Sequence, residues 1–232
     1  MKVDNLGRMS KALKEYLSVA LYLENLQGRI DPADRGRINF AQVFGRAGPV
    51  HIEIGTGKAT FLLNQAKAQT EVNFLGIERA KKFYRYAVDR IGRWGLTNVR
   101  IVRTDAATFL ADFVPDNCVD CFHIYFPDPW PKRRHHKRRF LNEVNLQQLL
   151  RCLTCTGQLR IATDDDDYFQ QIQRLITAQG ERLKAIEFLP AAGAEKGEIT
   201  GTNYERKYIK DQRQTYTLAV RKASQERISN IE

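Results

Sequence analysis

At 232 residues, with 43% hydrophobic and 28% charged side chains, the chain can build one sizeable folded domain and lacks the composition of a disordered protein. No apolar run approaches the roughly 18 residues a membrane span needs, and MKVDNLGRMSKALKEYL lacks the apolar segment of a secretory leader, so a cytoplasmic location is expected. Lysine plus arginine exceed aspartate plus glutamate by 37 to 27, a net charge of +10 that favours a polyanionic partner.

Residues 1–45 predict a helical extension, because Leu13, Leu17, Ala20 and Leu21 recur at helical spacing. GRIDPADRGR (28–37) is turn-rich, and a second short helix is expected over 38–45. From residue 46 to 232 the pattern is that of a second unit, in which strands alternate with helices. VHIEI (50–54) is a β-branched run that ends at Gly55 and predicts a buried strand. Further strands are expected at 73–78, 98–105, 119–126 and 158–163, with late strands at 183–189 and 214–221. Helices are expected at 58–69, from Ala80 to Ile91, at 138–152 and at 165–179. PAAGAEKGEITGTNYERK, between the late strands, predicts a glycine-rich loop.

Such alternation implies an α/β, Rossmann-like fold: a mostly parallel, seven-stranded sheet with helices on both faces. Ligands bind beyond the carboxyl ends of the strands in these sheets. Polar residues gather at those ends: Glu53 and Gly55 after the first strand, then Glu78, Asp105, Asp128 and Asp164 after the next four.

Glu53-Ile-Gly55-Thr-Gly57 predicts a tight turn that lets backbone approach a ligand. Thr60 stands where a dinucleotide fingerprint has its third glycine, and the Gly-Lys-Ser/Thr ending of a triphosphate loop is missing. Glu78, 21 residues after Gly57, is placed to accept ribose hydroxyls, which suits either a nicotinamide cofactor or S-adenosylmethionine. Two features favour S-adenosylmethionine. Glu53 would repel a pyrophosphate but suits a cationic methionine end, and Asp105-Ala106 can receive an adenine amino group. A nicotinamide oxidoreductase is the alternative, and a non-catalytic RNA-binding protein on the same scaffold is another.

The four cysteines form two pairs, Cys118/Cys121 and Cys152/Cys155. The first pair opens a strand, where side chains three apart face opposite ways, so these read as small core residues and not as zinc ligands. The acidic run Asp164–Asp167 suits a helix N-terminus better than a magnesium site, and no metal is expected.

The most specific stretch is FPDPWPKRRHHKRR (126–139). Two prolines stiffen the backbone around Asp128, and six of the 37 basic residues follow between Lys132 and Arg139. This pattern resembles the bacterial tRNA (guanine-N7)-methyltransferases, in which PDPW followed by a lysine and an RHxKRR run is characteristic. The likeness extends from about residue 50 to 220. It implies a class I S-adenosylmethionine-dependent methyltransferase fold, and tRNA as the partner. It further implies methylation of guanosine N7 in the variable loop, at tRNA position 46.

The resemblance assigns cofactor contacts to Glu53, Glu78, Asp105 and Asp128, beside the Gly55, Gly57 and Ala106 already read from the residues, with Asp128 as the catalytic residue. It assigns substrate contacts to Lys132, Arg134, His135, His136, Lys137, Arg138, Arg139 and Asp164, and to the late loop at Thr202, Asn203, Tyr204 and Glu205. Two positions depart from the family pattern. The glycine turn reads GTGKAT, with fewer small residues than many relatives have, and Asp165 stands where an aromatic residue is common.

Overall fold

The computed structural model describes residues 18–21, 30–31 and 37–223. In chain order its elements are β1 (Ala20–Leu21), β2 (Ile30–Asp31), β3 (Arg37–Ile38), α1 (Phe40–Phe44) and β4 (Val50–Ile54). Next come α2 (Thr60–Ala68), β5 (Asn73–Ile77), α3 (Lys81–Arg93), β6 (Val99–Val102), α4 (Ala106–Phe113) and β7 (Val119–Tyr125). A 3₁₀ turn at Arg133–Arg138 precedes α5 (Glu143–Cys152), β8 (Leu153–Thr163), α6 (Asp166–Thr177), β9 (Leu183–Ile186), α7 (Asn203–Lys210) and β10 (Tyr216–Lys222). No helix among the described residues is long and apolar enough to cross a membrane.

Eight strands form the main sheet in the order β1-β6-β5-β4-β7-β8-β10-β9. Pairing is parallel except at β10, which runs antiparallel to both β8 and β9. The chain moves outward from β4 through β5 to β6, then returns to the other side of β4 as β7. Strand order therefore reverses between β4 and β7, and a crevice opens beyond their carboxyl ends. Glu53 sits in that register, opposite Gly76 on one side and His123 on the other.

Both faces of the sheet are covered. One core holds Phe109, Leu146, Leu149, Leu150 and Tyr168 from the helices, and Ile52, Phe122 and Ile161 from the strands. The opposite core packs Phe61, Leu62, Tyr84, Ala87 and Ile91 against Phe74, Ile101 and Tyr125. Burial on both faces explains why β4 and β5 read as nearly continuous apolar runs rather than alternating ones.

The structure corrects the expected N-terminal helix where it describes it. Leu13 and Leu17 lie outside the described residues, but Ala20 and Leu21 are strand, paired with Ile101 and Val102. The edge of β6 offers unpaired backbone groups, and the Ile101 N–H donates to the Val19 carbonyl at 2.9 Å. The sheet consequently has eight strands where seven were expected. Phe40, Val43 and Phe44 of α1 belong to the same core as β4. The helix expected from 138 begins at 143, because the Asn142 side chain caps it, accepting from the Asn145 N–H at 3.0 Å. Helix α7 begins inside the segment expected to be a loop, 190–207, and runs past its end. Its start is set by Thr202, whose side chain accepts from the Glu205 N–H.

Gly76 lets the glycine turn approach β5. A Cβ there would stand 2.5 Å from Leu62 Cδ1 and 2.6 Å from Thr56 Oγ1. Gly76→Ala should destabilise the fold by about 1–3 kcal/mol through overpacking, read as a lower urea midpoint with an unchanged slope.

Candidate active site

The turn after β4 requires glycine twice, with φ of 82° at Gly55 and 54° at Gly57. Gly55 and Thr56 donate to the Ile77 carbonyl at 2.9 and 3.2 Å, so the turn leans on the end of β5. Glu78 closes it. One of its carboxylate oxygens accepts from Gly57 N–H at 2.8 Å and the other from Ala80 N–H at 2.7 Å. Each oxygen retains a lone pair for a further donor.

Beyond this turn lies a cavity of about 330 Å³. Its wall includes Glu53, Gly55, Thr56 and Gly57, the aromatic rings of Phe61, Phe83 and Tyr125, and Thr202, Asn203 and Tyr204 at the start of α7. The two stretches that sequence reasoning singled out, around 53–57 and 202–204, thus face each other. Phe61, Phe83, Tyr125 and the lysines Lys58 and Lys207 also line it and were missed. The helical period of α2 and α3 marks Phe61 and Phe83 as inward-facing, but cannot tell a cavity wall from a core.

Glu53 is the unusual member. It is 4% exposed, and its Oε2 has no hydrogen-bond partner. Burial raises its pKa well above the usual carboxylate value, and the negative charge of Glu78 adds to the rise. An orphaned acidic oxygen in a cavity wall fits a cationic donor group of a ligand.

The acidic row is completed at successive strand ends. Asp105 caps α4, accepting from the Thr108 N–H at 3.2 Å, and lies 3.9 Å from Arg79. Ala106 begins that helix, half-buried. Asp128 is exposed after β7, between Phe126 and Trp130, both of which hold left-handed φ, 52° and 47°. Two such non-glycine residues within five positions hold the Pro-Asp-Pro segment in a strained, defined bend. Asp164 pairs with Arg213 at 2.7 Å. Of the five strand-end acids only Glu53 lines the 330 Å³ cavity; Glu78, Asp105, Asp128 and Asp164 do not.

The basic run forms the 3₁₀ turn after this bend. Lys132, Arg133, Arg134, Lys137 and Arg138 are exposed, while His135 and His136 are half-buried. Trp130 anchors the turn, with His135 edge-on at 6.0 Å and the Arg138 guanidinium 4.9 Å from its ring.

Two expected substrate contacts are structural braces instead. Arg139 is 2% exposed; it donates to the Pro129 carbonyl at 2.7 Å, to Gln171 at 2.8 Å and to Asp167 at 2.6 Å. Its charge is consumed internally, tying the proline bend to α6 and holding the Asp167 carboxyl below the usual range. Glu205 is buried and accepts from the N–H groups of Ile199, Thr200 and Gly201 and from the Thr200 hydroxyl. It fixes the loop before α7. That loop is further held by Arg206, which bonds Glu195 and Glu198.

Among the described residues, one His/Cys group comes close together: His51, Cys121 and His123. The imidazoles meet at 3.3 Å, and His123 meets the Tyr125 hydroxyl at 2.9 Å, a polar network within the core. Burial lowers the pKa of both histidines, of His51 to about 4, and so keeps them neutral. Of the four cysteines, Cys121 and Cys152 are buried, Cys118 is half-buried and Cys155 exposed.

A family model described as "Putative methyltransferase" matches residues 47–218, spanning every strand end named above. The chain belongs to this methyltransferase family. Similar proteins include the tRNA (guanine-N(7)-)-methyltransferase of Streptococcus thermophilus (strain CNRZ 1066), 32% identical over 72% of this chain and 78% of that one. The protein of the same name from Streptococcus sanguinis (strain SK36) is 31% identical over 77% and 83% of the two chains. Among solved structures, a 30S ribosomal A1408 methyltransferase from an uncultured bacterium shares the fold. Its TM-score is 0.53 at 15% identity, over 80% of this chain and 95% of that one. Family membership leaves the nicotinamide alternative without support.

Glu53 should behave oppositely toward the fold and toward a cationic ligand. Its raised pKa means that the folded state holds a proton more tightly than the unfolded chain. Its charge therefore costs stability as pH rises above 4.5, and nothing is lost below that value. Glu53→Gln should melt higher than the parent at pH 7.5, with the difference gone near the bottom of that range. S-adenosylmethionine affinity should fall about ten- to hundredfold by calorimetry, the worth of one charged hydrogen bond. For the brace, Arg139→Met should lower stability by about 2–4 kcal/mol in urea unfolding, because the Pro129 carbonyl and Gln171 lose their donor.

Proposed function

We propose that this methyltransferase transfers the methyl group of S-adenosylmethionine to N7 of a guanosine in tRNA, at position 46 of the variable loop. The observation that carries this reading is the buried Glu53 carboxylate, its Oε2 unpartnered, in the wall of a cavity that the Gly55–Gly57 turn also lines. The curated relatives, at about a third identity and bearing that activity in their name, supply the methyl acceptor. A cytoplasmic location follows from the tRNA substrate.

Glu53 is assigned to the cationic amino-acid end of the cofactor. Gly55 and Gly57 give it close backbone approach, Glu78 takes ribose hydroxyls with its remaining lone pairs, and Asp105-Ala106 meets the adenine. When bound, S-adenosylmethionine supplies a methyl group on a positively charged sulfur, which the N7 lone pair can accept without any proton being lost. The protein therefore needs no strong general base. Its task is placement and charge stabilisation.

Asp128 is assigned to the positive charge that develops on the methylated purine. Its bend is held from both sides, by the strained backbone at Phe126 and Trp130 and by the Arg139 bond to Pro129. A carboxylate that does not reorganise stabilises charge more effectively than a mobile one. Tyr204, half exposed at the cavity wall 6.3 Å from Phe126, offers a stacking face for an unstacked base. Lys132, Arg134, Lys137 and Arg138 are assigned to phosphates.

Asp128→Ala should lose about 10²-fold or more in methyl transfer while keeping the parental melting temperature. The assay is transfer of labelled methyl to unmodified tRNA, with the position mapped by borohydride/aniline cleavage, which reports N7-methylguanosine. Near-parental turnover in this variant excludes the role given to Asp128.

A further inference from the structure

Strand alternation separates Cys118 from Cys121, but the same rule puts Cys121, His123 and Tyr125 on one face of β7. His51 of β4 is the register partner of Cys121, and its side chain stands on that face too. A Cys-x-His pair on one strand and a histidine on the next thus bring one thiol and two imidazoles together. The ligating atoms of all three lie within 4.8 Å of one another.

His51 Nδ1 and His123 Nε2 stand 3.3 Å apart, at the long end for a hydrogen bond. Two nitrogens bound to one tetrahedral ion at about 2.0–2.1 Å stand about 3.3–3.4 Å apart, the same separation. The sulfur is the atom that has to adjust. Tetrahedral coordination sets it about 3.5 Å from each nitrogen, so it closes in by no more than about 1.3 Å. Among the described residues its hydrogen-bond partner is the Phe122 carbonyl, at a weak 3.7 Å.

Tyr125 prepares the tautomer. Its hydroxyl meets His123 Nδ1 at 2.9 Å, and when that nitrogen donates, the Nε2 lone pair is left facing His51. Both imidazoles are held neutral, the form that binds a metal. Phe61 packs 4.6 Å from the His123 ring and Phe74 5.4 Å from that of His51, which gives the cluster apolar walls. His51 is only half-buried and leaves a path of entry. Arg160, the register partner of His123 on β8, opposes a cation here, but its guanidinium is turned to the Leu189 carbonyl and the Phe188 ring. Asp120 and Glu71 bring negative charge to His51.

We infer that His51, Cys121 and His123 bind one divalent ion of the zinc class, with three protein ligands and an open fourth position. Binding releases the thiol proton to solvent, and His51 carries its proton on Nε2, so both imidazoles stay neutral. The ion ties β4 to β7, the strands between which the sheet order reverses, two residues from the Tyr125 that lines the cavity. The site replaces the expectation, drawn from cysteine spacing and the acidic run, that no metal binds.

The test titrates Co²⁺ into chelator-treated protein and follows thiolate-to-cobalt absorption. The parent should bind one ion per chain, lose the absorption when Zn²⁺ is added, and melt about 5–10 °C higher with Zn²⁺ at a hundred times its Kd. His51→Gln should melt as the metal-free parent does and bind Co²⁺ about a hundredfold or more weakly. Cys121→Ser should lose the thiolate band, whereas Cys155→Ser, at an exposed thiol, should keep it. Should Cys121→Ser not fold, His51→Gln decides the matter alone. A parent without a thiolate–cobalt band, a band that survives Cys121→Ser, or parental affinity in His51→Gln overturns the inference.

Discussion

The site depends on one electrostatic separation: acid inside, base outside. Glu53 is buried with its Oε2 unpartnered, and Glu78, its neighbour one strand over, is buried as well. Burial raises the Glu53 pKa, and the Glu78 charge adds to that rise. The exterior has the opposite sign, with Lys58, Lys81, Lys82, Lys132, Arg133, Arg134, Lys137, Arg138 and Lys207 all exposed. The sheet makes this possible because reversal of strand order between β4 and β7 puts acidic strand ends side by side, with the helices and turns that carry cations around them.

Rigidity at the rim comes from charges that never meet solvent. Arg139 looks like one more member of a basic run, yet its guanidinium ties the proline bend to Gln171 and Asp167 of α6. Glu205 looks like a loop carboxylate, yet it gathers three backbone N–H groups and sets the wall of the cavity. In each case a full charge is spent on order. That is the arrangement expected where a neighbouring group, Asp128 or Tyr204, must keep its position without contacts of its own.

The sheet was legible in the sequence because its signals are local. β-branched runs ending in glycine or acid mark β4, β5, β6 and β7 to within a few residues, and all five acids stand at or beyond the ends of strands that pair in parallel, as expected. The alternation marked one wall of the cavity, at 53–57, while the other, at 202–204, was assigned only through the family resemblance. What escaped was decided by tertiary pairing. Ala20 and Leu21 keep helical spacing but serve as an edge strand, because β6 offered unpaired backbone. α7 was hidden because NYERKYIK buries only Glu205 and Tyr208, one of them a charge. Arg139 could not be separated from Arg138 by composition, since only the packing of α6 distinguishes the brace from the exposed turn.

Helix α7 joins the two halves of the site mechanically. Its first turn supplies Thr202, Asn203 and Tyr204 to the cavity, while Tyr204 and Tyr208 lie 6.3 and 5.3 Å from the ring of Phe126, at the start of the strained bend. The loop before it is seated on α2, where a Cβ at Gly193 would clash with the Asn64 backbone. A shift of α7 toward a bound ligand would therefore have to move the bend that carries Asp128, or break its aromatic contacts. Packed elements resist such intermediate positions. The same helix thus forms a wall of the cavity and a support of the rim, and the two cannot be tuned independently. Substitutions at Tyr208 or Phe126, neither of which lines the cavity, are for that reason expected to disturb the cavity as well as the rim.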